Sequence, residues 1–454
     1  MDVKSVINKY QQELIDRLAK LVAINSEEGT ASKDAPFGEG PKKALLTALD
    51  MLKEDGLETV NLDNYIGYAQ MGEGEKLIAL VGHLDVVPAK KEDGWNSDPF
   101  ELKNEKGILY GRGVADDKGA VVASMIALKV LKDLGVEPKK RIRLIMGTNE
   151  ETGSKGLAYY VEKEGSPDYG FTPDGEFPGV HGEKGMISGE YRSLQTKIID
   201  IQGGTAKNIV CRNCWIKVEK NSYSSRKLDD YFNNNNLEYK SEEDTDGIKI
   251  SVQGVAAHAS TPDLGINAIS HLMMALKQAG YQDPFVDFYC SHFGTSTDGD
   301  GLGVKCSDEY GSLTLNNGMI SMKDGVIEGT IDIRFPVTMS SKQILKSMSE
   351  RMKDDGGEVT IVSTHEPLFF PVDSPLVSCL LSAYQEVTGD TDTQPMTMGG
   401  GTYAKGIHNT IAFGCAFPGK DYHLHDANEW VSIDELMLQV EIYVAAIQKL
   451  LDIE

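Results

Sequence analysis

Short apolar runs followed at once by His, Asp or Glu residues limit most strongly what this chain can fold into. One run, residues 77–82, leads directly into His83 and Asp85. A continuous apolar run of this length predicts a strand buried on both faces of a parallel sheet. Because such sheets form their sites where the strands end, the polar residues after each run are candidate site residues. They are His83, Asp85, Asp116, Asp117, Glu150, Glu151, Asp174 and His425.

His83 and Asp85 share one face of the predicted strand, because side chains alternate along a strand. On that face an imidazole can bind a metal through one nitrogen while a carboxylate holds the other nitrogen. Taken alone, such a pair is also consistent with a structural histidine at a strand end.

Two acidic pairs follow. Asp116 and Asp117 lie in a Gly-rich turn before an amphipathic stretch, and helix capping accounts for only one of them. Glu150 and Glu151 follow the alternating run 141–146. Neighbouring side chains diverge at a turn, so one glutamate can ligate a metal while the other handles a proton. A solvated acidic loop is the alternative for this second pair.

The last two segments are ordinary when taken singly. Asp174 stands in a Pro-Asp-Gly sequence typical of a turn, and His423 and His425 stand in a polar loop far downstream. The joint pattern of all these segments indicates a shared site.

In combination, the motifs resemble the two-metal aminopeptidase-like hydrolases, which include aminoacylases, glutamate carboxypeptidases and carnosinases. Within that family they are most similar to the bacterial dipeptidase V, or Xaa-His dipeptidase, branch. The resemblance covers essentially the whole chain. The motifs are Gly-His-Leu-Asp at 82–85, Gly-Arg-Gly-Val-Ala-Asp-Asp-Lys-Gly at 111–119, Asn-Glu-Glu-Thr-Gly at 149–153, Pro-Asp-Gly at 173–175 and His-Asp-Ala-Asn-Glu at 425–429.

The resemblance implies a ligand set for two metal ions. His83 and Asp174 would bind one ion, Glu151 and His425 would bind the other, and Asp116 would bridge them. Mixed nitrogen and oxygen ligands suit two divalent ions, zinc first, with manganese or cobalt as alternatives.

The resemblance also implies roles beside the metals. Asp85 would orient His83, and Glu150 would act as general base on a water held between the ions. His425 is preferred to His423 as the ligand because His-x-Ala-Asn-Glu fits the family's final motif.

Three residues in the middle of the chain complete the implied site, and the composition around Gly400 adds a fourth candidate. His258 would stabilise the oxyanion, and Asn208 and Arg334 would contact the C-terminal carboxylate of the substrate. Gly400 belongs to a Gly-rich segment whose backbone amides suit an anion. The alternatives are an exposed arginine on an alternating strand for Arg334 and a mobile loop for Gly400.

Net charge and cysteine content limit the partners and the cellular compartment that we expect for this chain. The 454 residues include 45 basic and 69 acidic side chains, a net charge of −24 that disfavours nucleic acid and anionic membranes as partners. The chain opens on a polar amphipathic segment rather than a signal peptide, and we expect a cytoplasmic protein. Cys211 and Cys214 resemble a redox or zinc half-site, but no second pair accompanies them, so ordinary free thiols are expected.

The spacing of the motifs predicts an interrupted α/β catalytic domain. Residues 1–186 and 391–454 would form it, with a mostly parallel sheet covered by helices, and a two-lobed α+β lid domain at 187–390 would be inserted. Predicted helices in the catalytic domain lie at 3–24, 40–54, 117–135 and 433–451. A capping box of Ser432 and Glu435 begins the last of these helices.

The function expected from this pattern is metal-dependent hydrolysis of dipeptides that carry a free C-terminal carboxylate. An N-acyl-amino-acid amidohydrolase with the same metals is the main alternative, and a non-catalytic peptide-binding protein is disfavoured by Glu150 and Asp85. Relatives with shorter lids are often dimers whose second subunit lends the histidine. We therefore expect this chain, with its long insertion, to work as a monomer.

Overall fold

The computed structural model describes residues 3–351 and 356–453. They form two units. Unit 1 comprises Met1–Gly182, Phe370–Met396 and Gly401–Glu454, and unit 2 comprises Glu183–Phe369 and Thr397–Gly400.

The helices and strands alternate along most of the chain. The helices are α1 Val3–Ile7, α2 Gln11–Val22, α3 Glu39–Glu54, α4 Lys118–Asp133, α5 Lys155–Glu164, α6 Ser225–Asn234, α7 Ala268–Gln278, α8 Pro284–His292, α9 Ser341–Arg351, α10 Pro375–Thr388 and α11 Ile433–Asp452. The strands are β1 Glu58–Leu62, β2 Ile66–Met71, β3 Leu77–His83, β4 Lys103–Glu105, β5 Ile108–Tyr110, β6 Arg141–Gly147, β7 Tyr169–Thr172, β8 Val180–Glu183, β9 Gly185–Ser193, β10 Asp200–Gly203, β11 Asn213–Val218, β12 Tyr239–Glu243, β13 Ile248–Gln253, β14 Ser307–Asp308, β15 Gly311–Ser312, β16 Thr314–Asn316, β17 Ile320–Lys323, β18 Val326–Phe335, β19 Gly357–His365, β20 Leu368–Phe369, β21 Met396–Met398, β22 Thr410–Ala412 and β23 Trp430–Ser432.

Unit 1 is built on a sheet in the order β1-β2-β6-β3-β7-β22-β8. The central strands β6, β3, β7 and β22 run parallel, and the outer strands pair antiparallel. Every residue of β3 is buried, as its continuous apolar run predicts.

Helices cover this sheet and share its core. α4 has buried residues on nearly all of its surface, and it packs against α11, which in turn packs against α10. Ser432 and Glu435 form the predicted capping box of α11: the hydroxyl of Ser432 accepts from the N–H of Glu435, whose carboxylate accepts from the N–H of Ser432. The α/β class predicted from the sequence is confirmed.

Unit 2 has its own hydrophobic core and an antiparallel sheet in the order β12-β13-β11-β10-β17-β18-β9-β19, with β16 also paired to β18. Residues of α6, α7, α8 and α9 pack into that core. The two predicted lobes therefore share one continuous sheet.

The units divide at places that differ from the predicted boundaries. The main segment of unit 2 ends at Phe369 rather than 390, because α10 packs against α11 and belongs to unit 1; a short segment, Thr397–Gly400, also belongs to unit 2. The polar, Asn-rich composition of residues 221–246 predicts an exposed excursion, and the structure forms α6 and β12 there. The residue pattern over 341–355 predicts a helix; α9 forms at Ser341–Arg351, and residues 352–355 lie outside the described residues.

No helix within residues 3–351 or 356–453 is long and apolar enough to cross a membrane.

Candidate active site

The ends of three neighbouring parallel strands bring distant parts of the sequence together. β3 lies between β6 and β7, and its last residue, His83, pairs with Gly147, the last residue of β6. Glu150 follows the end of β6, and Asp174 follows the end of β7. The carboxyl edge of a parallel sheet thereby collects side chains that are far apart in sequence.

Asp116 lies between two imidazole rings. Its Oδ1 is 2.9 Å from Nε2 of His83, and its Oδ2 is 2.9 Å from Nε2 of His425. Asp116 precedes α4 by two residues and is buried. The contact of Asp116 with His425 joins two residues that are 309 positions apart in the chain.

Glu151 lies near His425, and Asp174 lies near His83. Oε1 of Glu151 is 3.3 Å from Nε2 of His425, and Oδ2 of Asp174 is 3.9 Å from Nε2 of His83. Two sets of three groups have ligand atoms within 4.8 Å of one another. They are His83, Asp116 and Glu151, and His83, Glu150 and Asp174.

The proximity of these imidazole and carboxylate groups shifts their pKa values. Burial lowers the pKa of His83, but hydrogen bonds to Asp116 and Asp85 outweigh it and leave that pKa well above its usual value. Hydrogen bonds to Asp116 and Glu151 raise the pKa of His425 to about 11. Burial and the nearby charge of Asp174 raise the pKa of Glu150.

The donor set fits divalent cations. Imidazole nitrogens and carboxylate oxygens converge from five segments, and no cysteine is among them. The carboxylates near the rings supply the negative charge that divalent cations require, and this mixture of donors suits zinc, manganese or cobalt.

Asp85 holds two parts of the site at once. Its backbone carbonyl accepts a hydrogen bond from Nδ1 of His83 at 3.0 Å, which leaves Nε2 directed at Asp116. Its carboxylate accepts from the backbone N–H groups of Glu150 at 3.1 Å and Glu151 at 3.0 Å. The sequence pattern predicts the carboxylate of Asp85 on the ring, whereas the structure places the backbone carbonyl there and the carboxylate on the glutamate turn.

Sequence reasoning missed Glu429, which holds the loop of Asp116. The carboxylate of this fully buried residue accepts hydrogen bonds from the backbone N–H groups of Gly113, Ala115 and Asp116 and from the guanidinium of Arg112. Its position in the His-Asp-Ala-Asn-Glu motif was the available signal, because that motif also contains His425.

Two other neighbours of His83 are Asp117, a candidate with no separate role assigned from the sequence, and Tyr403, which was not among the candidates. The carboxylate of Asp117 accepts from the backbone N–H of His83 at 3.1 Å, so the adjacent aspartates have separate partners. The ring of Tyr403 packs edge-on against that of His83, with centroids 6.2 Å apart. A Cβ on Gly147 would lie 1.9 Å from the hydroxyl oxygen of Tyr403, so only glycine fits there.

His423, the alternative ligand, lies in the same loop as His425 but has a different environment. Its Nδ1 is 3.4 Å from the backbone carbonyl of Ala427. Both histidines are exposed, so they differ in their partners rather than in burial. The structure brings His425, not His423, to Asp116 and Glu151.

His258 lies in unit 2, on an exposed segment. The backbone N–H of Ser260 donates to its Nδ1 at 3.2 Å, and the hydroxyl of Ser260 is 2.7 Å from the same atom. Because Nδ1 accepts, a neutral ring carries its proton on Nε2, which makes Nε2 a hydrogen-bond donor.

The other three predicted substrate residues also lie in unit 2. Asn208 is exposed, and its backbone carbonyl accepts a hydrogen bond from the backbone N–H of Ala259 at 2.9 Å. Arg334 is buried. Its Nε and Nη2 donate hydrogen bonds to the carboxylate of Asp332, and its Nη1 donates to the backbone carbonyl of Gly399 at 3.2 Å. Gly400 follows Gly399 in the Gly-rich segment.

Comparison with known proteins gives relatives that match along nearly the whole chain. YtjP of Bacillus subtilis, a provisionally named dipeptidase, is 34% identical over 462 residues, which cover 98% of each chain. A provisionally named dipeptidase of Staphylococcus haemolyticus is 32% identical over 469 residues, which cover 98% of this chain and 99% of the relative.

Solved structures agree with the fold. Human carnosine dipeptidase 1 superposes with a TM-score of 0.60 at 17% identity, covering 99% of this chain and 98% of that one. The dipeptidase Dug1p of Saccharomyces cerevisiae gives 0.59 at the same identity and coverage. The family model for peptidase family M20/M25/M40 matches residues 79–449, so the chain belongs to that family and is a metallopeptidase.

Proposed function

We propose that this protein is a two-metal dipeptidase that hydrolyses the peptide bond of dipeptides with a free C-terminal carboxylate. The observation that carries the proposal is the position of Asp116, with one carboxylate oxygen 2.9 Å from each of the rings of His83 and His425. Glu151 adds a carboxylate near His425, and Asp174 adds one near His83.

The residues assigned to the metals are those implied by the sequence. His83 and Asp174 would hold one ion, Glu151 and His425 the other, and Asp116 both, with zinc as the proposed metal. Bound ions of this kind lower the pKa of a water and polarise the carbonyl that it attacks.

Glu150 is the proposed general base. Its backbone is fixed by Asp85, and its carboxylate lies among the ligand atoms of His83 and Asp174. From there, a carboxylate oxygen of Glu150 would take the proton from the attacking water and pass it to the nitrogen of the leaving amine.

The residues of unit 2 are proposed to bind the substrate. Nε2–H of His258 would donate to the oxygen of the scissile carbonyl as negative charge develops there. Asn208, Arg334 and the backbone amide of Gly400 would bind the C-terminal carboxylate. Asp332 holds the guanidinium of Arg334 by two hydrogen bonds, which restricts its orientation.

The names of the relatives support a dipeptide as the substrate rather than an N-acyl amino acid. The test is a panel of dipeptides, tripeptides and N-acyl amino acids with purified, metal-loaded protein. We expect the highest kcat/KM for dipeptides. Faster cleavage of N-acyl amino acids would replace the proposal by a deacylase, and rapid cleavage of tripeptides would reject the substrate length.

We also propose that the chain works as a monomer, because its insertion is long enough to supply His258 within the same chain as the metal ligands. Size-exclusion chromatography with light scattering at working concentrations measures the mass directly. A stable dimer would contradict this part of the proposal.

A further inference from the structure

Cys211 and Cys214 form a thiol pair in unit 2 that the proposed reaction does not use. Both are free and buried; Cys211 comes just before β11 and Cys214 lies within it. Two residues separate them, which is the spacing of dithiols that cycle between reduced and disulfide forms.

The backbone of β10 brings the two sulfurs to one place. Gly203 is the residue of β10 that pairs with Cys214 of β11. A Cβ on Gly203 would lie 2.8 Å from Sγ of Cys214 and 3.2 Å from Sγ of Cys211. Both sulfurs therefore flank the same point, and the absence of a side chain on Gly203 leaves the space that they occupy.

The two thiols differ in their readiness to ionise. A hydrogen bond from Cys214 lowers the pKa of Cys211 and outweighs the effect of burial, while burial raises the pKa of Cys214. The pKa values of the other four cysteines are raised by burial. Because the thiolate is the nucleophile, Cys211 is the cysteine most suited to react with an oxidant.

A cavity that could hold a small molecule borders the pair. It has a volume of about 730 Å³ and is lined by Cys211 and Cys214 together with Gly203, Trp215 and Tyr239, among others. All of its lining residues belong to unit 2. A molecule of the size of hydrogen peroxide fits easily in such a space.

We propose that Cys211 and Cys214 are an oxidation site at which hydrogen peroxide forms a disulfide, and that this disulfide alters the neighbouring segment that carries Asn208. The thiolate of Cys211 attacks one peroxide oxygen, the O–O bond breaks, and a sulfenic acid and one water form after uptake of a proton. The sulfur of Cys214 then attacks the sulfur of Cys211, the S–O bond breaks, and a second water leaves. Two thiols are oxidised while one peroxide is reduced to two waters.

Backbone hydrogen bonds connect the thiol pair to the predicted substrate residues. The N–H of Val210 donates to the carbonyl of Ala257 at 2.8 Å, and the N–H of Ala259 donates to the carbonyl of Asn208 at 2.9 Å. These bonds tie the residues just before Cys211 to the segment of His258. A disulfide holds its sulfurs about 2.05 Å apart at a restricted dihedral angle, so we expect the segment around Cys211 to shift when the bond forms.

The oxidation itself is tested on the full chain with hydrogen peroxide and peptide mass spectrometry. We expect a loss of two hydrogens in the peptide that contains both cysteines, reversed by dithiothreitol. Cys211→Ser and Cys214→Ser should each abolish the disulfide, and the control Cys306→Ser should retain it. Oxidation of other cysteines while this pair stays reduced would overturn the proposal.

Two measurements test the effect of the disulfide on the segment that carries Asn208. Hydrogen–deuterium exchange of residues 204–213 should change on oxidation of the wild type and not of Cys214→Ser. The KM for a dipeptide should rise about fivefold or more on oxidation and recover with dithiothreitol. This second measurement rests on the proposed function. Unchanged exchange in fully disulfide-bonded protein would overturn the coupling, whereas absence of dipeptide cleavage before oxidation would count against the proposed function alone.

Discussion

The carboxylate of Glu429 accepts a hydrogen bond from the backbone N–H of Asp116 at 3.0 Å. Three more donors, the N–H groups of Gly113 and Ala115 and the guanidinium of Arg112, complete its environment. Glu429 therefore joins the loop that carries His425 to the loop that carries the proposed bridging ligand.

This contact predicts that Glu429→Gln weakens metal binding although Glu429 is not a proposed ligand. The amide NH₂ of glutamine cannot accept from the backbone donors, so the loop of Asp116 loses part of its support. We expect metal affinity, measured by calorimetric titration, to fall by about 10- to 100-fold. Glu54→Gln, at an exposed position near the end of α3, is the matched control. Wild-type affinity in Glu429→Gln would contradict the positioning role.

The adjacent glutamates should separate into base and ligand. Glu150→Gln is expected to retain both metals while turnover falls by about 10² to 10⁴, the usual contribution of a general base. Glu151→Gln should instead bind less metal. Metal analysis beside steady-state kinetics distinguishes the two, and a reversed pattern would mean that the roles are exchanged.

His258→Ala should bind metal normally and lose turnover by about 10² or more, because the proposed oxyanion donor is removed. Ser260→Ala is the matched control: it removes the hydroxyl near Nδ1 but keeps the backbone N–H that donates to the ring. We expect a much smaller loss for this control.

Mixing His258→Ala with Glu150→Gln protein tests whether one chain supplies both residues. A monomer gives no recovery, since each chain lacks one essential group. Recovered activity would mean that the histidine comes from another subunit.

Binding of the C-terminal carboxylate by Arg334 predicts that a dipeptide amide is a much poorer substrate than the free dipeptide. Arg334→Ala should raise KM without loss of metal. Asp332→Asn, which leaves the arginine but weakens the pair that orients it, should raise KM less. Equal kinetics for the dipeptide and its amide would exclude the role of Arg334.

Asp55 provides a stability prediction away from the site. Arg17 donates to both of its carboxylate oxygens at 2.6 and 2.7 Å, and Lys129 lies 2.9 Å from Oδ1. Burial raises the pKa of Asp55, but these hydrogen bonds outweigh it and lower the pKa below its usual 3.8. Asp55→Asn should reduce the free energy of unfolding by about 1.5 to 3 kcal/mol at pH 7.

The sign of the pH dependence follows from the lowered pKa. The contribution of Asp55 is present in full above its unfolded pKa of about 4 and is lost as the pH falls through the folded value. The difference between wild type and Asp55→Asn in urea unfolding should therefore shrink below pH 4. A difference that grows with acidity would contradict this assignment.

The sequence alone was sufficient for some local elements of unit 1, although α5 and α10 were not predicted and the helix predicted at 3–24 is divided into α1 and α2. The continuous apolar run before His83 predicted a buried strand, and Ser432 and Glu435 predicted where α11 begins, because burial pattern and capping are local properties. Resemblance of the motifs indicated the family, and the family model and relatives confirm it.

Tertiary structure decided which elements pack together and which side chains meet, because a local sequence pattern does not contain this information. The assignment of α10 to unit 1 depends on packing against α11, and the contacts of Glu429 depend on two loops more than 300 residues apart meeting in space. Asp116 and Asp117 are neighbours in sequence, yet one faces two imidazoles and the other holds a backbone N–H. Sequence spacing fixes which residues follow each strand, whereas chain folding determines which of their atoms come within hydrogen-bonding distance.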